Sequence, residues 1–453
     1  MISFETRASR LTQNRTGFTI VELIVVIAVL GILAAIVVIG YNGSLDSTAK
    51  TAIRSDLQAT AAALEQERTY SNEYPDAASD LNNGKGITTS EGVELTYKRR
   101  ATSYCLEGAS VRPGAGAFHI DSSDSGKLLD GPCLLIVSTL AGSGTAGFAD
   151  GLRTTAQFAG PHGLVIAIDG TVYVADRDNH RIRMISPSGI VSTLAGSGVA
   201  GFADGFGSSA QFNNPIGIAI DKNGDLYVAD ETNHRIRKVT RAGLVSTVAG
   251  SAAGFIEGPS ANARFRTPRG VAVTDNGTLY VSDFSNNRIR IISPSGIVST
   301  LAGSDEGNIN GTGSSARFNR PWGMSIGPNG DIFVADSGNS TIRRVTPAGQ
   351  VTTYAGTVSG FADGAASSAQ FSSIHDLVAA PDGSLYIADT YNFRIRKIST
   401  SGLVTTYAGT NSPGLIDGQP GNANFGETHG LGIDRFGGLY VGDYTNFVVR
   451  KIE

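Results

Sequence analysis

Three histidines, one arginine and the chain's single tryptophan stand at equivalent places in a repeating sequence: His162, Arg269, Trp322, His375 and His429, with Ile216 completing the set. Imidazole, guanidinium and indole groups in a concave mouth stack on ligand rings and exchange hydrogen bonds, chemistry that suits sugars or protein loops. Arg177, Glu231, Phe284, Ser337, Thr390 and Tyr444, with Tyr391 beside them, are expected in loops at the same end. The same side chains would equally well plug a channel mouth. Three imidazoles make a zinc site if they converge, but spacing does not establish convergence, so no metal is assigned. No Gly-x-Ser-x-Gly elbow, Walker loop or His-Glu-x-x-His stretch occurs. No catalytic residue or cofactor is assigned, and the chain is read as a binding protein rather than an enzyme. Elsewhere, Glu22 is the one carboxylate in the otherwise almost wholly apolar run 18–39. A buried carboxylate costs several kcal/mol unless paired, so it needs a partner. Two cysteines, Cys105 and Cys133, suffice for one bridge.

The elements that carry these groups follow from length and pattern. The chain has 453 residues, too many for one ordinary core, and 58 glycines with few charges favour turn-rich β structure. A net charge of -4 offers no basic field for a phosphate backbone, which argues against nucleic acid as a partner. The apolar run has 22 residues, and as a helix it spans roughly 33 Å, about one hydrocarbon core. It is longer than the apolar part of a secretory signal and leads into polar helical sequence. Arg7, Arg10 and Arg15 against Glu5 keep the N-terminus cytoplasmic, which places everything after residue 40 outside the cytoplasm. There a Cys105–Cys133 disulfide persists; two free buried thiols are the alternative. Beyond the run, Leu45, Ala49, Ile53, Leu57, Ala61 and Leu64 recur at three- and four-residue spacing, the mark of an amphipathic helix. "GVELTYKRR", "SYCLEGASV" and "AFHIDS" read as short strands on which it packs.

"TGFTIVELIVVIAVLGILAAI" resembles the N-terminus of type IV pilins and pseudopilins. The resemblance implies that a prepilin peptidase cuts between Gly17 and Phe18 and methylates the new amino group on Phe18. Glu22 then becomes the fifth mature residue, and its implied partner is the N-terminal amine of a neighbouring subunit during assembly. Gly31 matches a common pilin glycine. The proline often found about eight residues further on is missing, and Gly40, Asn42 and Gly43 supply weak helix-forming sequence instead.

From residue 137 a unit of 53 or 54 residues is written six times, each with four short apolar strands, the signature of a propeller blade. "NNPIGIAIDKNGDLYVADETNHRIRKVTRAGLVSTVAG" closely resembles the NHL repeat, and the resemblance covers 137–453. The chain ends on the third strand of its last unit while an unmatched "VSTLAG" at 137–142 precedes the first, so pairing the two closes the ring. Phe158, Phe212, Phe265, Phe318, Phe371 and Phe425 recur once per unit and are expected to fill the wedges between sheets. Asp176, Asp230, Asp283, Asp336, Asp389 and Asp443, each three residues before an Asn, read as turn locks, with calcium binding as the alternative. The recurring Arg183, Arg237, Arg290, Arg343, Arg396 and Arg450 are expected to pair with carboxylates rather than to bind an external anion.

The fold expected is an α+β pilin-like module, with a long N-terminal helix and a small antiparallel sheet, followed by an all-β six-bladed NHL propeller. Its segments are a leader at 1–17, the transmembrane and assembly helix at 18–68, a head at 69–133 and the propeller at 134–453. The function expected is a minor or tip filament subunit that displays the propeller outside the cell. Its partners would be prepilin peptidase, other pilin subunits and their assembly machinery, the membrane, and an extracellular protein or glycan ligand. A secretion-system pseudopilin and a membrane-anchored extracytoplasmic enzyme are the rivals.

Overall fold

The computed structural model describes residues 47–69, 74–76, 80–81, 86–100, 104–111, 117–122, 126–130 and 133–453. Gly17, Phe18, Glu22 and the apolar run around them lie outside the described residues. Among the described residues no helix is long and apolar enough to cross a membrane. The chain divides into two compact units, Met1–Cys133 and Leu134–Glu453.

In the first unit a helix over 47–69 lies on a four-stranded antiparallel sheet of Val93–Arg99, Tyr104–Ser110, Ala117–Asp121 and Lys127–Asp130, paired in chain order. The periodic face of the helix buries Ile53, Leu57 and Leu64 completely against Tyr104, Leu106, Phe118 and Ile120. Burying such a side chain stabilises by about 1.5–3 kcal/mol. Helix and sheet approach closely at Gly108, where a Cβ would lie 2.8 Å from Ile53 Cγ2 and 2.9 Å from Leu95 Cδ2. The fourth strand, Lys127–Asp130, was not expected from the pattern, because four residues flanked by Ser, Gly and Asp show no clear alternation. Cys105, on the second strand, is joined by a disulfide to Cys133.

The second unit has six antiparallel sheets. Their innermost strands are Pro161–Ile166, Pro215–Ile220, Pro268–Val273, Pro321–Ile326, Ile374–Ala379 and Thr428–Ile433, and each touches the next around a closed ring. Four of them begin on proline, which an unpaired inner edge tolerates. In the last sheet the outer position is taken by Val137–Ala141, paired with Val448–Ile452 so that Ile452 faces Val137 and Arg450 faces Thr139. The N-terminal strand therefore closes the ring. Five sheets add a two-residue outer strand beyond the four expected, such as Gly205–Phe206 on Leu244–Ala249, which shields the outer edge.

The repeated residues form one constellation per sheet. The six phenylalanines are fully buried between sheets. Asp230 accepts the Asn213 N–H at 2.8 Å, the Asn233 amide at 2.8 Å and the Arg237 guanidinium at 2.8 Å, and Asp443 does the same with Gly426, Asn446 and Arg450. Arg237 also donates to the Gln211 and Ala203 carbonyls and lies over the Phe212 ring. These aspartates thus hold the turn and neutralise the arginine together. Burial pushes their carboxyls up, to about 6 for Asp176, against the pull of Arg183, Asn179 and a backbone N–H. Their oxygens are thus taken up by donors of the same sheet. Among the described residues no group of three or more His, Cys, Asp or Glu is arranged to hold a metal ion.

Candidate functional site

Each innermost strand starts at one end of the ring, and the loop between the second and third strands returns to that end. Pro215 faces Asp230 across the pair, so Ile216 and Glu231 share one rim. Just before the strand, Asn214, Thr267, Arg320 and Ser373 adopt φ of 57°, 51°, 55° and 53°. Left-handed backbone at non-glycine residues is strained and sits preferentially at functional or tightly determined positions. The neighbouring sheet helps hold it: His180 Nδ1 accepts the Asn214 N–H at 3.2 Å and His234 Nδ1 the Thr267 N–H at 3.1 Å.

Ring closure brings His162, Ile216, Arg269, Trp322, His375 and His429 into a single layer. These six line both a vestibule of about 640 Å³ at the mouth and a channel of about 270 Å³ running between the innermost strands. The layer is therefore a septum between two spaces. Trp322 stacks on His375 with centroids 3.8 Å apart and lies parallel to His162 at 6.1 Å. His429 meets His375 edge-on at 4.4 Å and His162 at 4.7 Å, and stacks on Tyr444 at 4.2 Å. Arg269 is clamped between rings, 3.6 Å from the Phe284 centroid and 3.8 Å from that of Trp322.

The rim is asymmetric. On one side Glu231, buried, accepts both the Nε and Nη2 of Arg269 at 2.7 Å, with Arg177 Nη2 at 3.7 Å. Arg177 also donates to Asp178 at 2.6 Å, and the Tyr444 hydroxyl donates to the same carboxylate at 3.1 Å. On the other side stand aromatic rings and imidazoles, with Tyr391 55% exposed and free to stack on a ligand. Burial lowers the pKa of His162, His375 and His429, and Arg177 and Arg269 add to the effect at His162 and His429. All three are neutral at pH 7. His375 Nε2 meets the Ser373 hydroxyl at 3.1 Å, whereas among the described residues Trp322 Nε1, His375 Nδ1 and both His429 nitrogens have no hydrogen-bond partner. The Glu427 carboxylate stands 3.5 Å from His429 Nε2 without hydrogen-bond geometry.

All seven expected ligand-binding residues, His162, Arg269, Trp322, His375, His429, Tyr391 and Tyr444, line the vestibule. Of the loop residues expected beside them, Glu231 and Thr390 do not: Glu231 is buried against Arg269, and Thr390 is buried with its hydroxyl donating to the Thr428 carbonyl at 2.8 Å, leaving Tyr391 to face the opening. Arg320, Gly338, Ser373 and Glu427 line the vestibule without having been expected. For Arg320, Ser373 and Glu427 a signal was available, since the residue two positions before each layer residue also varies: Gly160, Asn214, Thr267, Arg320, Ser373, Glu427.

Comparison with known proteins agrees with this architecture. The NHL repeat model matches residues 158–183, 212–239, 265–292, 318–345 and 371–398, and the prokaryotic N-terminal methylation motif matches residues 12–38. The sixth sheet, beyond the last match, keeps the constellation through Phe425, Asp443, Asn446 and Arg450. NHL repeat-containing protein 2 of Bos taurus is 29% identical over 333 residues, covering 63% of this chain. The match spans 45% of that relative, so the chain accounts for less than half of its length. Among solved structures, a Bacteroides thetaiotaomicron protein of unknown function is 19% identical with a TM-score of 0.57, covering 79% of this chain and 83% of its own. An auxiliary nutrient binding protein from the same organism is 15% identical with a TM-score of 0.57, covering 80% of this chain and 98% of its own. At these identities the likeness is one of fold. The chain joins a prokaryotic N-terminal methylation motif to a propeller built of NHL repeats.

Proposed function

We propose that this protein is a type IV pilin-like subunit, minor or at the tip of a filament, that displays a six-bladed propeller outside the cell to bind a glycan or a protein loop. The observation that carries the reading is the methylation motif at 12–38 in front of NHL repeats. Prepilin peptidase cuts after Gly17 and methylates Phe18. The run 18–39 stores the subunit in the inner membrane with its N-terminus cytoplasmic, and Glu22 pairs with a neighbouring subunit's amine as the filament assembles. The amphipathic helix on a small disulfide-linked sheet is consistent with a pilin-like head. About 320 further residues on every subunit would crowd a filament surface, which favours a minor or tip position. At the vestibule, Tyr391, Tyr444 and Trp322 offer stacking surfaces while Arg177, Arg320 and Glu427 offer hydrogen bonds, a combination suited to a hydroxylated ring or a polar loop.

The test is to shear producing cells, collect the extracellular filaments and read the N-terminus of this protein by mass spectrometry. A chain beginning at N-methylated Phe18 in the filament fraction is expected. An intact leader, or processed protein confined to membranes, would sink the filament-subunit reading.

A further inference from the structure

Beneath the septum the channel holds a carboxyl that the repeat does not require. Residue 376 is Asp where the other five innermost strands carry Gly163, Gly217, Gly270, Gly323 and Gly430. Glycine there answers a packing demand. A Cβ at Gly163, Gly217, Gly270 or Gly430 would lie 2.4, 2.1, 2.4 or 2.0 Å from a backbone oxygen of the next innermost strand. Asp376 departs from this pattern and fills the space beside Gly323, its Oδ1 2.1 Å from where a Cβ on that glycine would be. Its carboxyl accepts the Leu377 N–H at 2.9 Å on one oxygen and, from the neighbouring strand, the Leu431 N–H at 2.9 Å on the other. Each oxygen keeps a further lone pair.

The channel wall around the carboxyl mixes polar backbone atoms with apolar side chains. Leu164, Ile218, Val271, Met324, Leu377 and Leu431 form a buried tier around the channel just beyond the septum. At the far strand ends the lining residues, from Ile166 to Ile433, are partly exposed, so the tube opens at the end opposite the vestibule. Among the described residues no Arg or Lys is ion-paired with Asp376; burial pushes its carboxyl up to about 7, and only the two N–H groups pull it back. The cations nearest in the septum are otherwise engaged, since Arg269 is held by Glu231 and the three imidazoles are neutral. Partly buried without a counter-charge, the carboxyl is held toward its neutral form, and a cation entering the channel favours the ionised form. A bare metal ion is a poor candidate, because hard cations take six or more oxygen ligands and one carboxyl cannot supply them. An ammonium group needs only a few acceptors, and a short alkyl tail has the apolar side chains of the wall to lie against.

We propose that the channel binds a small primary alkylammonium ion, its ammonium on Asp376 and its alkyl chain against the apolar tier. The ligand enters from the open end, so this site is separate from the vestibule and independent of what the mouth binds. The ammonium donates to the free lone pairs of the carboxylate, and the septum above excludes water arriving from the mouth.

The test titrates n-butylammonium chloride into the full-length protein in detergent micelles at pH 7.5, following the fluorescence of Trp322, the chain's only tryptophan and part of the septum. Saturable binding is expected, at least tenfold weaker in Asp376→Asn and at least tenfold weaker for n-butanol, which has the same tail without the charge. If Asp376→Asn lacks the native melting transition, Asp376→Gly, which restores the residue of the other five sheets, takes its place with the same expected loss. Absence of saturable binding, equal binding by the variant, or equal binding of butanol would overturn the proposal.

Discussion

Replacing Arg237 by methionine tests whether the repeated aspartate and arginine act as one buried ion pair rather than as separate turn and surface features. The guanidinium has no solvent exposure and donates to Asp230 at 2.8 Å, the Gln211 carbonyl at 2.9 Å, the Ala203 carbonyl at 2.8 Å and Asp204 at 2.6 Å. Methionine fills much of the same volume without the charge. Asp204 is 46% exposed and regains water, so its loss contributes little. Asp230 is fully buried, and stripping one partner from a buried pair costs about 3–5 kcal/mol, because the remaining charge is left uncompensated. Urea unfolding at pH 7, followed by circular dichroism, should show a loss of this size. In Asp230→Asn/Arg237→Met the stranded charge is gone. What then remains is chiefly the Gln211 carbonyl without a donor, about 1–3 kcal/mol, since the Ala203 carbonyl keeps the Gln211 N–H at 3.0 Å, so the double variant should be more stable than the single one. A single variant within about 1 kcal/mol of wild type, or a double variant no better than the single, would refute the reasoning.

Further outcomes follow from other parts of the structure. Deleting 137–142 removes the closing strand of the last sheet and should lower the melting temperature of the second unit; an unchanged transition in calorimetry would contradict ring closure by this strand. Gly108→Ala forces a methyl against Ile53 and Leu95 and should destabilise the first unit by about 1–3 kcal/mol in thermal unfolding. Opening the Cys105–Cys133 bridge with Cys133→Ser releases a 28-residue link and should cost that unit about 3–4 kcal/mol, measured against wild type under non-reducing conditions. His162 has a folded-state pKa below its unfolded value of 6.5, so the unfolded chain takes up its proton first and stability falls as pH drops below about 6.5. His162→Phe abolishes that contribution. The variant should gain on wild type by about 1 kcal/mol between pH 6.5 and 5.5 in urea titrations, and a pH-independent difference would count against a neutral buried imidazole.

Much of the second unit was legible because its period is long and its residues recur. A Phe, an Asp with its Asn three residues on, and an Arg in the next strand each returned once per 53 or 54 residues, and a physical role could be assigned to each type. Which groups satisfied one another was less legible. Asp230 and Arg237 are seven residues apart on paired strands, yet the same carboxylate also takes the N–H of Asn213, which only the packed turn brings near. The choice between Thr390 and Tyr391 was likewise beyond sequence. Adjacent residues in a short 3-10 turn point in different directions, and Thr390 turns inward to the Thr428 carbonyl. In the first unit, the helix face was readable from its three- and four-residue spacing, but the strand Lys127–Asp130 lacked the alternation that marks a half-buried strand.

By itself the sequence determined the repeat, the residues each sheet buries, the unmatched strand that closes the ring, and the methylation motif at 12–38, because these depend on residue type and local spacing. The tertiary structure decided what six positions separated by one repeat do together. Only ring closure gathers His162, Arg269, Trp322, His375 and His429 into one septum with a vestibule on one side and a channel on the other. Only the close approach of neighbouring innermost strands, which glycine permits in five sheets, makes the lone Asp376 a partly buried carboxyl on the channel wall.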